Sequence, residues 1–359
     1  MGDGKSRDLC GVERLVRFGK RVNGILKHYE KDFIGSCRHT CSKCYDKRSR
    51  KILEIDTAFQ QTKNPTGQTF QFQSFFINIV VRNSVWGVRV IHQDTVMQER
   101  HTNRERYFRE LAETSREFYI DYLRGFKEIG AGIRILEIGC GEGGNLLPFA
   151  EIGCPVTGID LAANKIENAK EYFAKRNMPG EFISGNFLSM QATSERFDIV
   201  LIHDVIEHIE PEDKPAFFKG IKKFLKPDGI VFFGFPAWQM PFGGHQQICR
   251  SGVCSKVPFA HLLPTNLYRN YLRIFKEDSA KIDELLSIKR SKMTPEKFES
   301  LCKETGFRIV ERQLWLISPH YKAKFHLRPT RLRLGFDHIP FLRNFLSTSC
   351  FYIVESSGQ

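Results

Sequence analysis

The stretch from Ile133 to Asp160, IRILEIGCGEGGNLLPFAEIGCPVTGID, decides how this chain folds. Its opening run, Ile133-Arg134-Ile135-Leu136-Glu137-Ile138, has the length and composition of a buried strand. Four glycines follow within six residues: Gly139, Gly141, Gly143 and Gly144. Asn145 to Glu151 is amphipathic, with Leu146, Leu147, Phe149 and Ala150 as its apolar positions. A second apolar run, Pro155 to Ile159, ends in Asp160. Strand, glycine turn, helix, strand and acid, in that order, describe a βαβ nucleotide-binding unit. Glycine permits the sharp turn and lets a ligand approach the backbone N–H groups. The acid lies about 20 residues past the first glycine, where it accepts hydrogen bonds from ribose hydroxyls.

The glycines fit two templates. Gly139-x-Gly141-x-x-Gly144 is the dinucleotide fingerprint. Glu137-x-Gly139-x-Gly141-x-Gly143 resembles the first motif of class I S-adenosylmethionine-dependent methyltransferases. An acid two residues before the first glycine suits a ligand with a cationic methionine end, whereas dinucleotide enzymes usually place an apolar residue there. The resemblance implies S-adenosylmethionine as cofactor. It also implies a Rossmann-like, seven-stranded, mostly parallel α/β sheet with helices on both faces. It assigns Glu137, Gly139, Gly141 and Gly143 to the cofactor turn and Asp160 to the ribose.

The segments downstream decide between the templates, because a glycine pattern alone is a weak signal. Glu181 to Ser184 is a short strand followed by Gly185-Asn186-Phe187. In the resembling family the residue at Asn186 is often Asp and bonds the adenine amino group; Asn offers a carbonyl acceptor for the same contact. Phe187 is a residue for the adenine face or, equally, for the core. Phe197 to Asp204, FDIVLIHD, is an apolar strand of the kind covered on both faces. Asp198-Ile199, followed by Ile206-Glu207-His208-Ile209, resembles the fourth motif of methyltransferases acting on small molecules, the quinone-biosynthesis O-methyltransferases among them. It is unlike the (D/N)PP(Y/F) of enzymes that methylate exocyclic nitrogens of DNA bases. Helix, Leu225-Lys226-Pro227-Asp228-Gly229 and an apolar strand complete the match, with two further strands at Phe307 to Leu316 and Phe351 to Glu355. Thr294-Pro295-Glu296 carries the signals of a helix start: a capping hydroxyl, proline at the first position and an acid in the first turn.

Ahead of this core, Asn103 to Ile129 reads as a helix with an apolar face, and Tyr107 or Tyr119 is a residue for the cofactor or for the core. Residues 236–293 are an insertion after the fifth strand, rich in aromatics, histidine and glycine. They are expected to overhang the carboxyl edge of the sheet, where open α/β folds bind ligands, and to act as a substrate lid. A basic, aromatic run from Ser318 to Arg343 is either a surface for an anionic acceptor or a solvated loop. Transfer to a hydroxyl or acidic nucleophile requires a proton acceptor. His245 in the insertion, and His203 and His208 around the end of the fourth strand, are the catalytic candidates, since imidazole titrates near neutral pH. His203 is placed at the cofactor as well, and His208 is equally a residue that stabilises its turn.

The chain has 359 residues and a 41% hydrophobic content, room for roughly two domains or for one domain with additions. The expected domain is 97–359. Residues 1–96 hold 17 Lys and Arg against 9 Asp and Glu, so more than half of the net charge of +13 lies outside that domain. The domain itself is only mildly basic, so the surplus does not by itself argue for nucleic acid, and a nucleic-acid partner is not expected. Within 1–96, Cys37-x3-Cys41-x2-Cys44 resembles the iron–sulfur motif of radical enzymes and is also three-quarters of a zinc site, but the preferred reading is that these thiols bind no metal. Met97 resembles a natural opening of this family. Residues 1–96 are therefore either a basic extension or the product of a start codon assigned too far upstream. Neither a secretory h-region nor an apolar run of about 18 residues occurs, and ten cysteines in a chain this long read as reduced thiols, so the expected location is the cytoplasm. The expected function is methyl transfer from S-adenosylmethionine to oxygen or nitrogen of a small-molecule acceptor. Its rival is a non-catalytic fold of the same kind serving as a scaffold or, through the basic segment, as a nucleic-acid-binding module.

Overall fold

The computed structural model describes residues 103–191, 195–333 and 335–357. The extension 1–96 and its four cysteines, Cys37, Cys41 and Cys44 among them, therefore lie outside the described residues. Asn103 caps the first helix by accepting a hydrogen bond from the backbone N–H of Arg106 at 2.9 Å. Helix α1 (Arg104–Thr114) then runs through a π-helical turn (Ser115–Tyr119) into α2 (Ile120–Arg124). The glycine stretch gives β1 (Ile135–Ile138), α3 (Leu147–Glu151) and β2 (Val156–Asp160), as its composition demands. There follow α4 (Ala163–Ala174), β3 (Glu181–Ser184), β4 (Phe197–His203), α5 (Lys214–Phe224) and β5 (Leu225–Phe235). The insertion contributes α6 (Thr265–Ile274) and α7 (Ser279–Ser291). The chain returns through α8 (Pro295–Glu304), β6 (Phe307–Ile317), α9 (His320–Phe325), β7 (Thr330–Arg331), α10 (Leu342–Leu346) and β8 (Ser349–Ser356).

The strands form one sheet in the order β3-β2-β1-β4-β5-β8-β6-β7. Neighbours from β3 to β5 are parallel; β8, β6 and β7 add antiparallel. The seven expected strands are present, and β7 makes an eighth. It consists of two exposed residues paired with Trp315 and Ile317, so it carried no apolar pattern to read. Alternate residues of the central strands point to opposite faces. Ile199, Leu201 and Phe232 join the layer under α1 to α4, whereas Val200, Ile202 and Phe233 join the layer under α5 and α8. Burial on both faces is why these strands read as continuous apolar runs. Going along the sheet, strand order reverses at β1, which has β2 on one side and β4 on the other, and that reversal opens a crevice at the carboxyl ends.

The insertion closes on itself at its neck, where the Trp238 N–H donates to the Met293 carbonyl at 2.8 Å. It has a small core of its own, with Tyr268, Leu272, Ile282, Leu285 and Leu286 around Cys249 and Cys254. Among the described residues, no helix is long and apolar enough to cross a membrane, and all six cysteines are free and buried.

Candidate functional site

The crevice at the reversal point holds a cavity of about 120 Å³, reached by Gly139, Gly141, Asn145, Tyr107 and His203. The glycine turn has three left-handed residues, with φ of 76° at Gly139, 54° at Gly141 and 79° at Gly143. A Cβ on Gly139 would come within 2.3 Å of Val205, but one on Gly141 would meet nothing within 4 Å. Gly139 is therefore needed for packing, and Gly141 leaves space in front of the turn.

Glu137 lies at the base of that turn with 1% of its surface exposed. Asn145 donates to its Oε1 at 2.7 Å, and its Oε2 has no partner. Burial pushes its carboxyl up to about 8, against the Asn145 hydrogen bond that favours ionisation. A buried carboxylate with one oxygen unsatisfied is an acceptor waiting for a cationic donor. Asp160, at the end of β2, accepts from the Gly141 N–H through Oδ2 and from the Ala162 N–H through Oδ1, both at 2.9 Å. It thereby fixes the glycine turn to the second strand. The next residue, Leu161, is 74% exposed at the rim. Asn186 is exposed, and its Oδ1 accepts from the Leu188 N–H at 3.1 Å, capping the 3-10 turn. Phe187 goes to the core instead: it is 7% exposed, with its ring centroid 5.3 Å from both Phe217 and Phe224. These residues fit S-adenosylmethionine: an orphaned buried acid at one end, an open glycine turn and a second acid with an apolar rim at the other.

Helix α1 leans over the crevice. Arg104 makes a bidentate pair with Glu142 of the glycine turn, both hydrogen bonds being 2.6 Å. Tyr107 lines the cavity. Tyr119 does not: it is buried, and its hydroxyl meets His203 Nε2 at 2.8 Å. The other ring nitrogen of His203 lies 3.4 Å from Asp204 Oδ2. Asp204 follows β4 in a left-handed conformation, φ 54°, which for a residue with a Cβ costs roughly 1–2 kcal/mol and is typical of functional sites.

The three candidate histidines separate into two places. His203 faces the cofactor crevice. His208 and His245 come together, their rings perpendicular with centroids 4.9 Å apart. His245 Nε2 is also 3.6 Å from Glu207 Oε1. Burial holds His245 far down, to about 3, because it disfavours the charged imidazolium. Glu207 is 2% exposed with neither carboxylate oxygen bonded, and burial raises its pKa well above the ordinary range. One ligand atom from each of Glu207, His208 and His245 lies within 4.8 Å of the others, a donor set that a divalent cation could also occupy. The buried Lys214 supports this loop from below, donating to the carbonyls of Ile206 and Ile209 and to Ser291 Oγ of the insertion. Arg290 and Ser287 of α7 both bond Glu210. In the basic run, Arg343 is buried against Glu296 and Glu299, and Lys322 pairs with Glu117 at 2.8 Å, so part of that charge serves packing.

The Arg104–Glu142 pair, Asn145, Leu161 and the Tyr119–His203 contact escaped the sequence reading. Only Asn145 carried a signal, as a polar residue at the foot of an apolar helix. The others join positions too far apart in sequence to show a spacing.

Residues 135–229 match the family model of the methyltransferase domain. This segment, with its glycine turn, two acids and mostly parallel sheet, is a class I S-adenosylmethionine-dependent methyltransferase domain. Among similar proteins is the ubiquinone biosynthesis O-methyltransferase of Bartonella tribocorum, 32% identical over 123 residues that make up 33% of this chain and 49% of that protein. The enzyme of the same name from Bartonella bacilliformis is 31% identical over 125 residues, 33% of this chain and 50% of that protein. The chain thus spans about half the length of the curated relatives it matches. A solved S-adenosylmethionine-dependent methyltransferase from Clostridium acetobutylicum aligns over 68% of this chain and 92% of that one, with a TM-score of 0.44 and 12% identity.

Proposed function

We propose that the protein is a methyltransferase that passes the methyl group of S-adenosylmethionine to an oxygen or nitrogen of a small-molecule acceptor, with oxygen favoured by the names of its relatives. The observation that carries this reading is the orphaned, buried Glu137 beneath an open glycine turn, at the strand reversal of a methyltransferase domain. When bound, the cofactor supplies a methyl on a sulfonium, which already leaves well. The chain's task is alignment and exclusion of water, and alignment alone accounts for roughly 7–11 kcal/mol of barrier. Glu137 Oε2 accepts from the methionine ammonium. Asp160 accepts from the ribose hydroxyls, and Asn186 offers its carbonyl to the adenine amino group. Leu161 gives the purine an apolar rim, a role that the ring of Phe187, packed in the core, leaves open.

The acceptor side is formed by the Glu207-His208-His245 group, and residues 236–293 are its lid. Support comes from the bonds of Ser287, Arg290 and Ser291 to the loop after β4, which seat His245 against Glu207. His203 is held by Tyr119 at Nε2, so it orients the end of β4. The imidazole of His245 takes the acceptor's proton only with Glu207 ionised beside it, since burial by itself disfavours the imidazolium. His208, exposed at the lid seam, contacts it edge-on. The reduced state expected of the cysteines places the protein in the cytoplasm.

His245→Ala is expected to keep S-adenosylmethionine binding in calorimetry while kcat falls by about 10²–10⁴, the usual contribution of a positioned proton acceptor. Methyl transfer from labelled S-adenosylmethionine into fractionated extract supplies the assay. Unchanged kcat would remove His245 from the mechanism.

A further inference from the structure

The insertion contains a second group of chemistry-bearing side chains that methyl transfer does not use. Cys249 and Cys254 sit five positions apart on the irregular loop ahead of α6, and Glu277 lies just before α7. All three are buried, at 5%, 0% and 6% exposure. The two sulfurs share a hydrogen bond at 3.4 Å. One ligand atom from each of the three residues lies within 4.8 Å of the others. We propose that Cys249, Cys254 and Glu277 form a structural zinc site that staples this loop to the helical part of the insertion.

Three observations support it. First, zinc bound tetrahedrally to two thiolates at about 2.3 Å sets the sulfurs roughly 3.8 Å apart, whereas a disulfide needs about 2.05 Å. The sulfurs stand close to the first spacing. Second, the Glu277 carboxylate is oriented as metal ligands commonly are: Oε2 accepts from the Arg250 N–H and Oε1 from the Ser251 N–H, each at 3.0 Å. Among the described residues no ion pair to Glu277 is present. Third, the hydroxyl of Tyr268, which shares a small core with both cysteines, is buried without a hydrogen-bond partner. It stands by for the fourth vertex or for a zinc-bound water.

The loop also needs such a staple. Between Met240 and Leu263 the only regular elements are three 3-10 turns of three residues each. A segment of this length without α-helix or strand is uncommon in a compact domain unless something pins it. Gln246 and Lys289 pin its middle and its end, bonding the carbonyls of Pro241, Val257, His261 and Leu263. The cysteine–glutamate group would pin the remaining part, residues 249–254. Metal has a route in, since Gly252 and Val253 beside the site are exposed.

The test is metal analysis of the full chain, purified under reducing conditions without metal-affinity chromatography. Two variants are carried alongside: C249S/C254S, and C37S/C41S/C44S as a control for the other cysteine cluster. The wild type is expected to retain zinc, the double variant to hold one zinc fewer, and the triple variant to keep the zinc that the double variant loses. Cobalt put in its place should show thiolate-to-cobalt charge-transfer absorption. Should the double variant misfold, Glu277→Gln read by competition with a chromophoric chelator keeps the proposal falsifiable. It should lose at least the roughly 10–100-fold in zinc affinity that second-sphere changes alone cost. Three results would overturn the assignment: no zinc in the wild type and none taken up in competition, zinc unaffected by C249S/C254S, or an intact mass two hydrogens lighter that maps to a Cys249–Cys254 disulfide.

Discussion

At the scale of single residues, the glycine turn separates packing from binding. A Cβ on Gly144 would lie 2.6 Å from the Phe108 carbonyl oxygen and 2.8 Å from Leu111 Cβ, so this glycine lets α1 approach the turn. Gly144→Ala is expected to lower stability by about 1–3 kcal/mol in chemical denaturation, the usual cost of overpacking. Gly141→Ala carries only the strain of its positive φ, roughly 1–2 kcal/mol. It should keep the fold and weaken S-adenosylmethionine binding. Equal stability losses with unaltered binding would contradict the division. Glu137 makes a pH prediction. Its folded pKa of about 8 lies above its ordinary 4.5, so between these values the native state holds more protons than the unfolded one. Stability of the free protein therefore falls as pH rises through that window. A cationic ammonium at Oε2 favours the ionised form, so cofactor binding near pH 7 should release a proton, seen as buffer-dependent enthalpy in calorimetry. Glu137→Gln should abolish that release. Proton release that survives in Glu137→Gln would place the linkage elsewhere.

At the scale of elements, α1 is the part that must move. A cavity of about 120 Å³ is smaller than the roughly 300 Å³ at which ligand pockets begin, and the Arg104–Glu142 pair holds α1 down on the turn. Arg104→Ala should speed both association and release of S-adenosylmethionine in stopped-flow fluorescence, with less than about tenfold change in Kd, since a partly exposed ion pair contributes modestly. Unchanged rates would show that entry lies elsewhere. Elements were also where the sequence spoke most clearly. β1, β2, β4 and β5 were legible because both their faces are buried and glycine, proline or acid ends them. The cap of α8 was legible because Thr294 and Pro295 have local roles, and Thr294 does accept from the Lys297 N–H. By contrast, β7 is two exposed residues whose only reason to be a strand is β6. The irregular loop of the insertion has no period to read, since tertiary contacts through Gln246, Lys289 and Glu277 shape it. Phe187 shows the same limit in one side chain: its residue type suits core and cleft equally, and only packing against Phe217 and Phe224 decides.

At the scale of the whole molecule, the described chain divides its labour between a sheet with two apolar layers and an insertion with a third small core. The sheet sets Glu137, Asp160 and Asp204 along one carboxyl edge, because strand order reverses at β1. The insertion starts from the same edge at Phe235 and brings His245 back to Glu207. The proposed cofactor half of this arrangement was readable from the first two strands, since the residues proposed for it lie within one βαβ unit. The acceptor half was readable only as a set of histidines, because what unites Glu207, His208 and His245 is the path of residues 236–293. The crevice beside β1 is proposed to bind S-adenosylmethionine through Glu137 and Asp160. Titration calorimetry of the full chain with S-adenosylmethionine, repeated on Gly141→Val and Asp160→Ala with NAD as the competing ligand, tests this directly. The account predicts one equivalent bound by the wild type, no binding of NAD, and loss of binding in both variants that remain folded by circular dichroism. Tight binding retained by both variants, or no binding of S-adenosylmethionine by the wild type, would contradict it.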